Sequence, residues 1–264
     1  MKKKDFLFIV LCFVSWRILL FVFLFLAIRV LPLQQPFLGG GVERYLKNPW
    51  FWAWANFDGE NYLSIARYGY LFVGQAFFPL YPILIRFFGS GMWAGLLISN
   101  LSFLVALIGL YKLIRLDYSE KITRLSILLL FLFPTSFYFG SVYTESFFLA
   151  LVVWSYYAAR KEKWFITGIL GTFASATRVI GAILLPVLLI EILIKKKKLE
   201  VKHWPLALIP LGIIFYMVYL WRFSGDPLAF IHAQVSVGEQ RSSTLIILPQ
   251  VFYRYFFKII PNLN

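Results

Sequence analysis

One cysteine, Cys12, stands in 264 residues, inside an apolar run, so the chain offers neither a disulfide framework nor a thiolate metal site. Histidine is almost as scarce, with two residues. No nucleophilic Ser/Cys–His pair, phosphate-binding Gly-rich loop or Cys/His cluster is visible. Charge is thin as well: 14% of residues are charged, where a soluble domain carries about a quarter. Internal repeats, low-complexity tracts and flexible linkers are also missing. These absences exclude a soluble core, a disulfide scaffold and the common nucleophile-based hydrolases.

What is present is apolar. Hydrophobic residues make up 61% of the chain and aromatics 20%. This is the composition of an all-α polytopic membrane protein. The net charge of +14 does not point to nucleic acid, because its placement follows another logic. Lys2 to Lys4, Lys112 and Arg115, Lys121 and Arg124, Arg160 to Lys163, and Lys195 to Lys198 all occupy short gaps between apolar runs, as the positive-inside rule requires. The opening "MKKKDFLFIVLCFVSWRILLFVFLFLAIRVL" is too long in its apolar part for a signal peptide and is expected to remain as an anchor.

A spanning helix needs about 20 apolar residues. Candidate spans fall at 6–31, 92–114, 122–140, 145–159, 164–178, 180–194, 204–221 and 244–260. With "MKKK" in the cytoplasm, alternation puts "YKLIRLDYSEKITR", "ARKEKW" and "KKKKLEVKHW" inside as well, and all are basic. The outside segments are then 32–91, the tight "GSVYTE" turn, the "SATRVIG" junction and 222–243. The polar residues that topology does not explain gather there: Asp58, Glu60, Glu145, Arg178, Asp226, His232 and Gln234. An ionisable group near membrane depth is costly unless it is paired or lines a wet cavity.

In "WANFDGENYLSIARYGY", Asp58 fits an N-cap of a short interfacial helix that closes at Gly69. A carboxylate held ionised at a helix start can serve as general base or metal ligand, or simply as a cap. Gly59 beside it allows a substrate to approach the backbone closely. Glu60 points elsewhere around the helix, as a second metal ligand or a solvated charge. A second interfacial stretch, "AFFPLYPILIRFFG", is broken by two prolines. Its Tyr81, with Phe77 and Phe78, suits the aromatic belt or the lining of a sugar or lipid groove.

Glu145 begins a span where serine would suffice, which favours function, and Thr144 is a candidate cap for that span. Tyr143 is either a ligand contact or a belt residue. Arg178 lies at an external junction, where the positive-inside rule predicts against it. Its planar fork suits a phosphate, and the alternative is an ion pair with Glu145 or Asp58. His232 is a proton shuttle, a metal ligand or a structural group. Asp226 before Pro227 marks a turn or helix start. The chemistry that fits carboxylates and one arginine beside lipid is transfer from a lipid-linked phosphate donor. The competing reading is a transporter or lipid flippase with external acidic gate residues, for which the expected mid-membrane charges and inverted repeats are not evident.

The blocks "NFDGENYLSIARYGY...QAFFPLYPIL", "FPTSFYFGSVYTESFFLALVVWSYYAARKEKW", "SATRVIGAIL" and "SGDPLAFIHAQ" occur in that order across residues 50–235. They resemble the PIG-V family of GT-C mannosyltransferases and its bacterial relatives, whose eukaryotic members add the second mannose to glycosylphosphatidylinositol precursors. The resemblance implies a GT-C-like bundle of about 8 transmembrane helices. It also implies a polyprenyl-phosphate sugar donor, usually mannose, and a lipid-linked or glycan acceptor at the non-cytoplasmic face of a bacterial or archaeal plasma membrane. It implies Asp58, Glu60 and Glu145 as catalytic acids, with a divalent metal, Mg or Mn, as a tentative ligand of Asp58 and Glu60. Donor phosphate binding at Arg178 is an inference from its chemistry. Tyr143, Tyr81, His232 and Gln234 would line the substrate. Relatives carry a tryptophan after the "HAQ" block that "HAQVSVGEQRSS" lacks. They also continue with further helices beyond "FKIIPNLN", so the expectation is a single domain short of its C-terminal helices, either a fragment or a short variant, with a partner subunit as one way of completing it.

Overall fold

The computed structural model describes residues 1–31, 42–196, 198–234, 248–259 and 261. The architecture is all-α, with no strand among the described residues. Helix α1 (Lys3–Val30) is followed by the short α2 (Val42–Lys47) and α3 (Pro49–Trp52). Next come α4 (Asp58–Tyr68) and α5 (Leu80–Phe87), then α6 (Met92–Ile114) and α7 (Glu120–Leu132). Helices α8 (Glu145–Arg160), α9 (Trp164–Thr177) and α10 (Leu184–Lys196) follow, then α11 (Leu211–Ser224), α12 (Ala229–His232) and α13 (Leu248–Arg254).

Three segments are long and apolar enough to cross a membrane unaided: Lys3–Val30, Met92–Ile114 and Val201–Ser224. The expected span over 122–140 is instead a bent pair. Helix α7 stops before Pro134, and the 3-10 turn Pro134–Gly140 leaves at 87°. Proline forces the residue before it out of the helical region, and Phe133 is accordingly extended. Helices α8, α9 and α10 are shorter, at 16, 14 and 13 residues. The expected span at 180–194 opens with a 3-10 turn, Val179–Ile183, before α10 begins. Of the expected span 244–260, residues 244–247 and 260 lie outside the described residues, as does 32–41 of the first loop.

Helix α8 packs between α6 and α9, and α9 packs against α11 and the turn before it. Bare backbone makes the second contact possible. A Cβ on Gly212 would lie 2.1 Å from the Thr172 carbonyl oxygen, and one on Gly168 would lie 2.2 Å from that of Pro205. Small residues let membrane helices approach this closely. The outward faces carry exposed Leu11, Ile18, Val22, Leu97, Leu101 and Leu129, as lipid contact requires.

The charged gaps meet at one end of the bundle. Lys4 pairs with Glu120 at 3.1 Å and Arg124 with Asp5 at 2.8 Å. Arg160 forks onto both oxygens of Asp117 at 2.7 and 2.8 Å, holding that carboxyl below its ordinary value. Lys202 reaches Glu162 at 3.6 Å. The basic segments that alternation assigns to a common side therefore share an end of the molecule, and α4, the 140–145 turn and Arg178 lie away from it.

Candidate functional site

Helix α4 positions the first carboxylate. Asp58 is its first residue and not its cap. Phe57 holds the cap position with φ at +57°, a conformation that L-residues rarely adopt. Gly69 closes the helix with a positive φ of 85°, as its sequence signal suggests. The start of α4 is strapped to the turn before α8. The Val142 amide donates to the Trp54 carbonyl at 2.8 Å, and the Tyr143 hydroxyl donates to the Asn56 carbonyl at 2.7 Å. Gly59 is buried against this turn, and a Cβ there would sit 3.1 Å from the Val142 carbonyl oxygen. Its bareness thus serves helix packing.

The strap leads directly to the charged cluster. Thr144 precedes α8 but makes no capping bond. Its Oγ1 instead receives the Arg178 Nη1 at 3.3 Å and stands 3.4 Å from the Tyr62 hydroxyl. The same Nη1 donates to Glu145 Oε1 at 2.7 Å. Glu145 Oε2 is buried with no hydrogen-bond partner among the described residues. Arg178 owes its placement to the end of α9, where its extended backbone, φ −152° and ψ 143°, breaks the helix and turns the guanidinium toward α8. Burial pushes the Tyr62 phenol well up. The Thr144 contact opposes that shift, while the charges of Asp58 and Glu145 add to it. Tyr62 is therefore a neutral hydroxyl at the centre of the group.

A cavity of about 450 Å³ opens on this cluster, lined by Asp58, Tyr62, Phe77, Thr177, Arg178 and Gln234 among others. A second cavity of about 720 Å³ lies on the other side of α4 and is lined by Arg44, Trp52, Asp58, Glu60, Ser64 and Arg67 among others. Among the described residues, Asp58 is the one lining both. Helical geometry explains the division: Glu60, Ser64 and Arg67 share one stripe of α4, whereas Asp58 and Tyr62 share the opposite one. Burial raises the Glu60 carboxyl, with the Arg44 charge opposing it.

The other expected site residues are placed as follows. Gln234 lines the smaller cavity, its amide 3.4 Å from the Ala76 carbonyl oxygen. Tyr143 is buried, with its hydroxyl spent on Asn56. Tyr81 is fully buried and hydrogen-bonds Ser99 at 2.7 Å and the Gly95 carbonyl at 3.2 Å, lining neither cavity. His232 is exposed, with Nδ1 2.7 Å from Asp226 Oδ2, and also lines neither. This partner pulls the Asp226 carboxyl below its ordinary value, and the other Asp226 oxygen accepts from the Leu228 amide at 2.9 Å, closing a turn.

As for the expected metal, Asp58 and Glu60 are two positions apart on a helix and so point about 200° apart. Among the described residues, no group of three or more His, Cys, Asp or Glu is placed to hold an ion.

Tyr62 carries no charge to mark it and Thr144 reads in the sequence only as a cap, while Arg44 and Arg67 look like ordinary surface cations. Arg17 left a readable signal, a cation inside the first apolar run. It donates to the Gly140 carbonyl at 2.9 Å, lies 4.1 Å from the Trp54 ring centroid, and so holds the turn that delivers Glu145.

An all-α membrane protein with an acid and an arginine facing one cavity is the class that this fold and site define. The sequence pattern of the family described as dolichyl-phosphate-mannose-protein mannosyltransferase matches residues 77–221, and the chain belongs to that family. Membership makes it a membrane glycosyltransferase of the GT-C type that draws on a polyprenyl-phosphate-linked sugar. No curated protein and no solved structure gives a match.

Proposed function

We propose that the chain moves a hexose, mannose in the first instance, from a polyprenyl-phosphate donor to a hydroxyl of a lipid-linked or glycan acceptor, with inversion at the anomeric carbon. The observation that carries this reading is that Asp58 and Arg178 line one cavity. Asp58 takes the proton from the acceptor hydroxyl, and the oxygen forms its bond to the sugar C1. The bond from C1 to the phosphate oxygen breaks, and the polyprenyl phosphate leaves with the electron pair toward Arg178. Glu145 holds the guanidinium in place, and the neutral Tyr62 hydroxyl beside Thr144 is a further donor. No step is routed through a metal.

An apolar groove of about 500 Å³, lined by Leu80, Ile83, Phe173, Phe215 and Tyr216 among others, suits the prenyl chain. It follows the same helix, α9, that ends at Arg178. The PIG-V group is the branch whose motifs the chain carries. The active face is extracytoplasmic and the N-terminus cytoplasmic, in the plasma membrane of a bacterium or archaeon.

The test is sugar transfer in proteoliposomes from radiolabelled polyprenyl-phosphate mannose, with the product's anomeric configuration read by NMR. Transfer with a configuration opposite to the donor's is expected. Retention, or no transfer from any polyprenyl-phosphate hexose, would refute the reading.

A further inference from the structure

The larger cavity carries a chemistry that sugar recognition alone does not need. Arg44 reaches it from α2 and Arg67 from α4. Among the described residues, neither guanidinium has an ion-pair partner. Arg44 rests 5.0 Å from the Trp52 ring centroid and Arg67 5.9 Å from that of Tyr68. The acids of the cavity, Asp58 and Glu60, stand in the first turn of α4. Arg67 stands seven positions beyond Glu60 on the same stripe, about 10 Å along the axis. Arg67 thus stands apart from the two acids along α4, while Arg44 is near enough for its charge to act on Glu60. The cavity is also lined by hydrogen-bonding Asn61 and Ser64 and by aromatic Trp52 and Tyr68.

We propose that this cavity is the acceptor site and that the acceptor carries a phosphate-type anion bound by the cavity's arginines, Arg67 standing about 13 Å along the helix axis from Asp58, where the reacting hydroxyl sits. This inference rests on the reading of Asp58 as the base. A guanidinium fork matched to a planar or tetrahedral oxyanion gives charge-assisted, geometrically specific binding. The hydroxyl then falls at Asp58, on the wall shared with the donor cavity, where one residue serves both substrates. Glu60, beside it and raised by burial, hydrogen-bonds a neighbouring hydroxyl of the acceptor.

The test uses the full chain and has a binding arm that needs no turnover. Glycerol 1-phosphate is titrated against the detergent-purified protein and followed by calorimetry, for wild type, Arg44→Gln, Arg67→Gln and Asp58→Asn. Both arginines are exposed, so the glutamine variants are expected to fold, and their melting temperatures check this. Each arginine variant should weaken phosphate binding by roughly tenfold or more, as loss of a charge-assisted hydrogen bond does, while Asp58→Asn still binds. Equal binding by all variants, or no binding by wild type, overturns the proposal.

A transfer arm separates the two sources of the anion. Proteoliposomes of phosphatidylcholine receive polyprenyl-phosphate mannose and either 20 mol% phosphatidylglycerol or soluble glycerol 1-phosphate. Labelled lipid identifies a headgroup acceptor, and labelled water-soluble product identifies a free one. Phosphate binding lost in the arginine variants, with no transfer to any acceptor, would leave the anion site standing and remove the glycosyltransfer reading. Transfer to a neutral glycolipid, undiminished in both arginine variants, would do the reverse.

Discussion

Arg178 is held by two oxygens at once, Thr144 Oγ1 and Glu145 Oε1, and both belong to the turn that starts α8. The sequence alone left phosphate binding and ion pairing as rival roles for this arginine. The geometry makes them compatible, because one Nη group is engaged while the fork still lines the cavity. The side chains of the pair are 41% and 29% exposed, so the ion pair contributes only about 1 kcal/mol to stability. Its larger effect is orientation. Arg178→Gln should raise the donor KM by about 10- to 100-fold, the worth of a hydrogen bond to a charged group. Pairing it with Glu145→Gln should restore the melting temperature without restoring the KM. Glu60 supplies a pH dependence. Its carboxyl is raised in the folded protein, chiefly by burial. Its stabilising contribution is therefore complete below the unfolded carboxylate value and is lost as pH rises through the folded one. Glu60→Gln should accordingly raise the melting temperature near neutral pH, and the gain should vanish below about pH 4.

Element boundaries show what local sequence can and cannot say. Helix α4 was legible from Asp58 to Gly69 because both ends carry strong signals, yet the cap fell to Phe57. That residue accepts a positive φ because the strap from Val142 and Tyr143 fixes the chain just before it, at Trp54 and Asn56. No local propensity encodes such a tertiary demand. Pro134 is a break signal that the expected span over 122–140 passes over, and whether it kinks or ends the helix depends on the Pro134–Gly140 turn finding a seat. The Arg17 bond to Gly140 and the Trp16 bond to Ser136, at 3.1 Å, supply that seat. The acids and Arg178 were legible as oddities of composition. The partition of two cavities by α4 was not, because it depends on how the helix is rotated about its axis, and the turn before α8 sets that rotation. Gly59→Ala tests this setting. The new methyl would press on the Val142 carbonyl oxygen at 3.1 Å and on the Ala55 Cβ at 3.3 Å. It should cost about 1–3 kcal/mol by overpacking and lower kcat more than it raises either KM, since Asp58 would be displaced from the shared wall.

The whole molecule has two unlike ends. At one, Lys4, Glu120 and Arg124 are joined by ion pairs around the buried Asp5, and Arg160 pairs with Asp117. The positive-inside rule, which reads only the run of charges along the chain, anticipated this gathering. At the other end, acids and a single paired arginine border two cavities. Cysteine labelling in a Cys12→Ser background tests the orientation. A cysteine at Ser64 should react with a membrane-impermeant maleimide added to intact cells, and one at Lys121 should react only after permeabilisation. The central claim is narrower: Asp58 is the base that joins the two cavities. Single-turnover transfer from polyprenyl-phosphate mannose, compared between wild type and Asp58→Asn at matched donor occupancy, tests it most directly. The account predicts a loss of about 10²- to 10⁴-fold in the rate of transfer, with melting temperature and donor binding preserved. A rate within a factor of about two of wild type would contradict it and reduce Asp58 to the first residue of a helix.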